Sequence, residues 1–448
     1  VAAAGGEVTV DFYLINEKNV RGNHQLKISV TDSQGKVMEV GTYETEAAGG
    51  EVYGQLLVKD VKIPVPTAGG LCRIEAKLCK ENSVVTTGYD DILSVNLASN
   101  MLDGKGAVWE DGSALQNFLK GKTKEAVAAY EDNLGKLDWI MVARPPRKDQ
   151  LTMVPMEALR SADGKPGLDV VYYEDMEFQK EVYHEVAKVV NLSAIEGATP
   201  SPFVYMLDGY GIKWSGKVLP SVSGEYTIIP QSNDRSMIEV FVNGKKIYEI
   251  TRKKEHLGDG KVYLEGGKSA DIEIRFRHPR SNARCRLDWA VPNDKMPDAQ
   301  RLMERAVNDG TKIFIIQSAD EWSEFIAANS KAVFKDKFFV GTNWLGGVMF
   351  NKPHDIFKEL PVGNALNWPY QALIHTGVER MGLVMEGEEL LVGAYHTYPM
   401  AIGTAMGIVP MGKGSVLFST LDIYGNIIND SAAGLVAKKL IFNMIDFK

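Results

Sequence analysis

Residues 205–218 read YMLDGYGIKWSGKV, residues 224–236 read GEYTIIPQSNDRS and residues 238–247 read IEVFVNGKKI. Apolar and polar residues alternate in these short runs, and Gly, Asn, Asp and Ser separate them, which is typical of consecutive antiparallel strands. Asn243-Gly244 predicts a tight hairpin, because both residue types tolerate positive φ. No helix of ordinary length fits between Gly211 and Trp289. We therefore predict a β-sandwich or barrel between Gly167 and Pro292.

The same stretch carries an ordered series of short motifs. Together they resemble the protective-antigen-type domain, known as PA-fourteen, and the resemblance runs from Gly167 to Pro292. The motifs are, in order, Gly167-Leu168 with Tyr172-Tyr173, Lys213-Trp214-Ser215-Gly216, Gly224-Glu225-Tyr226-Thr227, Ser232-Asn233-Asp234-Arg235-Ser236, Val242-Asn243-Gly244-Lys245 and Leu287-Asp288-Trp289. The resemblance implies carbohydrate as a binding partner.

In some members of that family, two adjacent aspartates hold calcium against sugar hydroxyls. The resemblance places this pair at Asn233-Asp234, where an amide replaces one carboxylate. Calcium takes about six to eight oxygen ligands, usually several of them negative, so the replacement weakens the site. We expect no cofactor and no metal, with calcium at this pair as the alternative.

Length and composition limit the classes of protein that the chain can belong to. A chain of 448 residues suggests two to four domains, and 45% hydrophobic with 24% charged residues is typical of a soluble globular protein. The net charge of −8 gives no reason to expect nucleic acid or an anionic membrane as a partner. No apolar run reaches the roughly 18 residues that span a bilayer. The chain begins at Val1 rather than Met, so we expect a fragment of a longer protein.

The chain has three cysteines, Cys72, Cys79 and Cys285. Cys72 and Cys79 lie on one predicted strand, and their odd separation predicts opposite faces, roughly 23 Å apart along the strand. That distance is too great for a disulfide. We expect three buried free thiols.

Residues 7 to about 99 show alternating runs with turn signals about every ten residues, which predicts an immunoglobulin-like β-sandwich. Phe12-Tyr13-Leu14-Ile15-Asn16, Lys62-Ile63-Pro64 and Asp91-Ile92-Leu93-Ser94-Val95 are similar to the immunoglobulin-like domain that follows the catalytic barrel in glycoside hydrolase family 2.

From Lys105 the runs become apolar on both faces, as in a parallel sheet covered by helices. Ser113 is predicted to cap the first helix. This pattern stops near Arg160 and resumes near Asp298 with a helix that ends at Gly310. A capping box, Ser318 with Glu321, predicts the next helix. The sandwich is therefore inserted into an α/β domain, which a chain tolerates when the two ends of the insert lie close together.

Three later segments resemble the class I glutamine-amidotransferase-like domain. They are His354-Asp355-Ile356-Phe357-Lys358-Glu359-Leu360-Pro361, Gly412-Lys413-Gly414-Ser415-Val416 and Asn443-Met444-Ile445. Amidotransferases need a nucleophilic cysteine, and all three cysteines lie outside this domain. No Gly-x-Ser-x-Gly turn replaces it. The resemblance therefore implies this flavodoxin-like fold without the reaction, and we predict no catalytic residue.

The candidate carbohydrate-binding residues are Trp214, Asn233, Asp234, Arg235 and Asn243. Trp214 can stack on a sugar ring, but an aromatic residue in a sandwich strand is more often part of the core. Residues 233–235 suit hydroxyl recognition on a loop, and ordinary turn chemistry is the alternative. Asn243 is also explained by the hairpin alone.

Five arginines concentrate near residues 275–286 and can bind an acidic glycan. The alternative that we favour is a solvated face on which they pair with acidic residues. They are Arg275, Arg277, Arg280, Arg284 and Arg286, with Asp271, Glu273 and Asp288 as the acidic residues.

We therefore predict a multidomain chain of mixed β and α/β class. The predicted domains are an immunoglobulin-like sandwich at 1–99, an amidotransferase-like domain at 100–163 and 294–448, and an inserted PA-fourteen sandwich at 164–293. The predicted function is non-catalytic carbohydrate binding or substrate positioning in a periplasmic or extracellular, polysaccharide-degrading glycoside hydrolase of family 2 type. The catalytic barrel of the parent chain is then a second partner. The alternative is a structural or oligomerisation module, and a hydrolase with its own unrecognised site ranks last.

Overall fold

A computed structural model describes most of the chain. The described residues are 1–50, 52–81, 83–97, 101–146, 151–194, 199–201, 203–205, 208–232, 235–280, 283–292, 297–340, 347–375, 381–397, 400–429 and 432–447. Strands make up 52% of the chain and helices 14%, so the protein is mostly β and contains several sheets. Within the described residues, no helix is both long enough and apolar enough to cross a bilayer.

The strands are, in chain order, β1 Ala2–Ala3, β2 Glu7–Ile15, β3 Arg21–Thr31, β4 Val37–Ala48, β5 Gly54–Pro64, β6 Gly70–Lys80, β7 Ser83–Val95, β8 Gly106–Glu110, β9 Ala128–Ala129, β10 Trp139–Ala143, β11 Thr152–Met153, β12 Leu159–Arg160, β13 Leu168–Tyr173, β14 Glu181–Ala187, β15 Asn191–Ala194, β16 Tyr210–Val218, β17 Gly224–Ser232, β18 Met237–Val242, β19 Lys245–Ile250, β20 His256–Leu257, β21 Lys261–Leu264, β22 Ala270–His278, β23 Ala283–Ala290, β24 Lys312–Gln317, β25 Val333–Phe339, β26 Val348–Asn351, β27 Met381–Glu386, β28 Glu389–Thr397, β29 Met400–Met411 and β30 Gly414–Ser419. The helices are α1 Ala114–Leu119, α2 Ala299–Asp309, α3 Ala319–Ala328, α4 Gln371–His375, α5 Ile423–Ile427 and α6 Ala432–Asp446.

The chain forms two compact units. The first contains Val1–Asn100, Pro353–Tyr370 and Asn429–Lys448, and the second contains Met101–Lys352 and Gln371–Ile428. The domain boundaries given above remain a prediction.

In the first unit, a five-stranded sheet of order β1-β7-β6-β3-β4 and the two-stranded ribbon β2-β5 contribute side chains to one core. Apolar residues alternate along the strands, so each strand presents one face to that core. Leu26, Ile28 and Val30 face inward from β3, and Val61 and Ile63 do so from β5. The two-layered β arrangement predicted for this region is observed.

Two of the cysteines share a strand, as predicted. Cys72 and Cys79 both lie on β6, and both are buried. The register of this strand shifts between Leu78 and Cys79. All three cysteines are buried and free, as predicted.

Helix α6 belongs to the first unit, with a 3-10 turn at Asp355–Phe357. The Asn443 side-chain amide donates hydrogen bonds to the carbonyl oxygens of Ile356 and Lys358, both at 2.9 Å. The buried Lys439 ammonium group pairs with Glu359 at 2.6 Å. These contacts hold together two segments that are far apart in sequence. The predicted helix cap at Ser431 lies outside the described residues.

The second unit contains a ten-stranded sheet in which β8, β10, β24 and β30 are parallel neighbours. This confirms the parallel sheet predicted from strands apolar on both faces. Strands β10 and β24 pair directly, although residues 144–311 separate them in the chain. Strands β11–β23 lie within that connection and form two sheets of their own, called here the inserted sandwich.

Two of the predicted helix caps are wrong in detail. No side-chain cap hydrogen bond is made by Ser113 at α1 or by Ser318 at α3. The Glu110 carboxylate instead accepts hydrogen bonds from Leu115 N and Gln116 N, both at 3.1 Å. Asp298 caps α2 through the N–H groups of Gln300 and Arg301.

The inserted sandwich confirms the β architecture predicted for residues 167–292. One sheet has the order β11-β23-β17-β21 with β15 beside β23, and the other has the order β14-β13-β16-β22-β18-β19-β20 with β12 beside β16. Their facing side chains form a single core that runs from Val154 to Trp289. The predicted hairpin is observed between β18 and β19, with φ of 48° at Asn243 and 75° at Gly244.

Candidate functional site

Strand ends that belong to four connections lie at one end of the inserted sandwich, called here the loop end. The strand register places them there, because Tyr210 pairs with His278, and Arg277 pairs with both Gly211 and Met237. The described residues next to these strand ends are 174–180, 208–209, 235–236 and 279–280. Loops held by a rigid sandwich are a common place for binding residues.

The floor of the loop end is polar and buried. Ser236 Oγ lies 3.0 Å from His278 Nδ1. The His278 ring stacks on Phe276, with centroids 5.7 Å apart and 7° between the planes, and lies 6.0 Å from the Tyr210 ring. Such a floor holds hydrogen-bonding groups in fixed positions.

The Tyr210 hydroxyl is buried and has no hydrogen-bond partner among the described residues. Burial raises the pKa of this phenol, and the nearby Asp208 carboxylate raises it further. A buried hydroxyl normally has a partner, because leaving it unpaired costs about 1–3 kcal/mol. Tyr210 therefore offers a neutral donor and acceptor beneath the loops.

One wall of the loop end is the connection from β13 to β14. The Asp175 carboxylate accepts hydrogen bonds from Glu177 N at 2.7 Å and Lys180 N at 2.6 Å, which closes this loop tightly. Phe178 adopts a φ of 60°, which is rare for a bulky residue. The centre of the Phe178 ring lies 4.6 Å from the Arg277 guanidinium carbon. The ring also packs against Gly211, where a Cβ atom would lie only 2.7 Å from the nearest ring atom.

Trp214 is part of the core rather than of a binding surface. Only 3% of its surface is exposed, and its ring packs edge-on against Phe276 at 6.1 Å. A ligand on the surface cannot stack on this ring. This corrects the predicted stacking role, and Trp289 is buried in the same core.

Asn243 lies at the opposite end of β18 from the loop end. Its Oδ1 accepts a hydrogen bond from Asp271 N at 2.9 Å, and its backbone forms the hairpin turn. The structure therefore does not bring Asn243 together with Arg235, which is exposed beside the floor. Asn233 and Asp234 lie outside the described residues, and their binding role remains a prediction.

The arginine cluster is divided between the two sheets. Arg275 and Arg277 lie on β22, whereas Arg284 and Arg286 lie on β23, and these strands belong to different sheets. Arg277 pairs with Glu239 at 2.9 Å, and Arg275 pairs with Glu273 at 2.6 Å. The predicted concentration of charge on one hairpin is therefore wrong.

The predicted solvated position of Asp288 is also wrong. The side chain is 1% exposed, and both of its carboxylate oxygens accept hydrogen bonds from Arg286 at 2.8 Å. Burial raises the pKa of Asp288, and the Arg286 charge acts in the opposite direction. This pair is largely shielded from solvent and is therefore not part of an exposed glycan surface.

Sequence reasoning missed the aromatic residues beside the loop end. Phe203 and Tyr205 are exposed, and the Phe203 ring lies 5.1 Å from that of Tyr183 on β14. They follow no strand or helix period, so their spacing gave no signal. Among the described residues, no group of three or more His, Cys, Asp or Glu side chains is arranged to hold a metal ion.

The geometry is that of a two-sheet β module with grouped loops at one end. A family model described as the PA14 domain, the PA-fourteen domain of the sequence resemblance, matches residues 164–301. The chain therefore contains a PA14 domain, and the loop end belongs to it.

A curated relative is the anti-sigma-I factor RsgI3 of Acetivibrio thermocellus, which is 28% identical over 127 residues. The alignment covers 28% of this chain and 19% of the relative, so this chain spans about a fifth of that protein.

Solved structures with similarity include a beta-glucosidase from Kluyveromyces marxianus at 13% identity and a TM-score of 0.34, covering 50% of this chain and 30% of that chain. Another is the epithelial adhesin 9 A domain of Candida glabrata in complex with Galb1-4GlcNAc, at 12% identity and a TM-score of 0.24, covering 34% and 90%. A third is an anti-sigma factor domain-containing protein from Clostridium clariflavum, at 10% identity and a TM-score of 0.26, covering 65% and 90%.

Proposed function

We propose that the PA14 domain binds carbohydrate at its loop end. The observation that carries this proposal is a polar floor within a domain of the PA14 family, where the buried Tyr210 hydroxyl has no hydrogen-bond partner in the described part of the chain. Sugar hydroxyls both donate and accept hydrogen bonds, so they complement such a group. Asp208 adds an acceptor and Arg235 adds donors on connections that the strand register holds in place.

The wider setting is also part of the proposal. The chain acts as a non-catalytic, periplasmic or extracellular part of a polysaccharide-degrading glycoside hydrolase, and a catalytic barrel of the same protein cleaves the bound glycan. The immunoglobulin-like and amidotransferase-like identities of the other domains belong to this proposal. Binding would then raise the effective concentration of substrate near the barrel.

A glycan array followed by calorimetry tests the proposal, with the purified chain in calcium and in chelator. We expect binding to at least one polysaccharide fragment, and a tenfold or greater loss in Asp234→Ala and Arg235→Ala, because hydrogen bonds to charged groups contribute about 1.5–3 kcal/mol. Arg301→Ala, an exposed arginine on α2, is the matched control. A loss in chelator would add calcium to the site.

Absence of binding to every glycan at millimolar concentration would reject the proposal. A structural or oligomerisation role is then the second candidate, and the outer face of the β2-β5 ribbon favours it. Tyr13 and Leu56 are cross-strand partners there and both are exposed, as is Ile15. Exposed apolar patches of this kind are typical of protein contacts. Light scattering of the chain and of a Tyr13→Ser, Ile15→Ser variant would detect self-association.

A further inference from the structure

Two aromatic residues flank a buried valine in the segment that leads into β16. Val204 packs in the core of the inserted sandwich, whereas 64% of Phe203 and 92% of Tyr205 is exposed. Val204 N also donates a hydrogen bond to Ser201 O at 3.2 Å, which closes a turn. The buried valine therefore anchors the segment and leaves both neighbouring rings in solvent.

The exposed Phe203 ring is supported by further aromatic residues on the edge of the sheet. Phe203 contacts Tyr183 with centroids 5.1 Å apart, and Tyr183 contacts Tyr172 at 6.0 Å. The Tyr172 hydroxyl donates to Glu185 at 2.5 Å, which holds that end of the row in place. We call Tyr183, Phe203 and Tyr205 the aromatic platform. Large exposed rings on a supported backbone can stack on a ligand with little loss of side-chain entropy.

The carboxylates within the platform's own segments outnumber the basic groups. Strand β14 and the described part of residues 199–209 contain Glu181, Glu185 and Asp208 but no lysine or arginine. The one basic group there, His184, lies 3.2 Å from Glu181. A carboxylated or sulfated ligand would meet like charge, so the platform suits a neutral ligand.

The strand register places the platform near the loop end. Tyr172 pairs with Tyr183 of the platform on one side and with Ile212, two residues from Tyr210, on the other. A ligand held over the Tyr210 floor can therefore extend across the platform toward β14. Such a ligand must be longer than a single sugar ring.

We propose that the aromatic platform is a second subsite that stacks on one pyranose ring of a neutral oligosaccharide whose other end occupies the loop end. This inference rests on the proposed function. It specifies further that the ligand is an oligosaccharide, that it is neutral and that one of its rings stacks on aromatic side chains. The ring carbons of a pyranose present C–H groups to the aromatic faces, while its hydroxyls remain in water.

The test is calorimetry of the full chain with cello-, xylo- and galacto-oligosaccharides of one to six units, and with oligogalacturonate as the acidic probe. We expect affinity to rise with length and the acidic probe to bind more weakly. Phe203→Ala and Tyr205→Ala should each reduce binding of the longer ligands roughly three- to tenfold and leave the shortest binding ligand unchanged. Tyr263→Ala is the matched control. Tyr263 is exposed on β21, which pairs with residues 224–227 at the end of β17 that is far from the loop end.

The aromatic substitutions Phe203→Tyr and Tyr205→Phe should retain binding, which distinguishes stacking from a hydrogen bond by Tyr205. If long glycans bind equally well to the wild type and to the Phe203→Ala, Tyr205→Ala double variant, the platform is rejected and the proposed function stands. If no glycan binds to the wild type, both are rejected. Both residues are exposed, and circular dichroism would confirm that the variants fold.

Discussion

At the scale of single residues, the Arg286–Asp288 pair shows how burial makes a charged side chain depend on its partner rather than on water. A guanidinium can bind both oxygens of a carboxylate, and here it does so on the face of β23 opposite to the core residues Leu287 and Trp289. The pattern of alternating charges along β23 suggested a solvated face. Only 14% of the Arg286 side chain and 1% of the Asp288 side chain are exposed, so the charges must compensate each other in place of water.

Removing one partner of this pair should therefore be costly. We expect Arg286→Ala to lower the free energy of unfolding by about 3–5 kcal/mol, because it leaves the Asp288 carboxylate buried without its counter-charge. Arg275→Ala, which removes an exposed ion pair with Glu273, should cost less than about 1 kcal/mol. Urea unfolding of both variants measures the difference, and equal costs would show that the Arg286 pair is not shielded from water.

Glu110 provides a pH-dependent test at the same scale. Burial raises its pKa from the ordinary value of 4.5, and backbone N–H groups and Tyr424 only partly oppose that rise. The folded chain thus binds this proton more tightly than the unfolded chain does. Stability from Glu110 is fully present below pH 4.5 and is lost as the pH rises through the raised pKa.

Glu110→Gln removes that proton equilibrium. We expect the stability of the variant relative to the wild type to increase as the pH rises from about 4.5 through the raised pKa. Thermal unfolding over a pH series measures the trend, and Glu225→Gln, at an exposed position, is the control for the change from acid to amide. A pH-independent difference would contradict the effect of burial.

At the scale of elements, the helix caps show that a capping motif in the sequence does not ensure a capping hydrogen bond in the structure. Ser113 and Ser318 both precede a helix, yet neither side chain makes a cap hydrogen bond with a backbone N–H group at the start of that helix. Ser318 adopts a φ of 53° directly after β24, and a residue in that conformation is not in the extended form typical of a cap. A strand that leads straight into a helix leaves no residue free to adopt the usual cap geometry.

The caps can be tested by alanine substitution. Asp298→Ala should cost about 1 kcal/mol, because the Asp298 carboxylate accepts hydrogen bonds from two N–H groups at the start of α2. Ser113→Ala should change stability by less than about 0.5 kcal/mol. Chemical denaturation measures both, and a similar loss in both variants would mean that the two side chains act alike.

At the scale of the whole molecule, the inserted sandwich has a core of its own. All of the buried residues of that core lie between Val154 and Trp289. Among the described residues, one core beside the parallel strands has its buried members in Ala107–Val142 and Ala299–Phe418. These two cores share no buried side chain, so the insert can exclude water from its own core.

We therefore expect a fragment of residues 151–292 to fold. It should show a β-type circular dichroism spectrum and one cooperative thermal transition, with a calorimetric enthalpy equal to the van't Hoff enthalpy. A fragment with Ile212→Asp, which places a charge in the same core, is the unfolded control. A wild-type fragment that behaves like this control would show that the insert depends on its host.

The sequence by itself determined which local elements form, because hydrophobic period and turn residues act over short distances. Four features could be recognised in the sequence: the alternating runs of β16–β18, the Asn243-Gly244 hairpin, the strands β8 and β10 with apolar residues on both faces, and the ordered PA14 motifs. Only the tertiary structure decided which face of each strand is buried. It enclosed Trp214 and Asp288, shifted the register at Cys79 and directed Phe203 and Tyr205 into solvent. Those outcomes depend on tertiary contacts, which join residues far apart in the chain and leave no mark on local spacing.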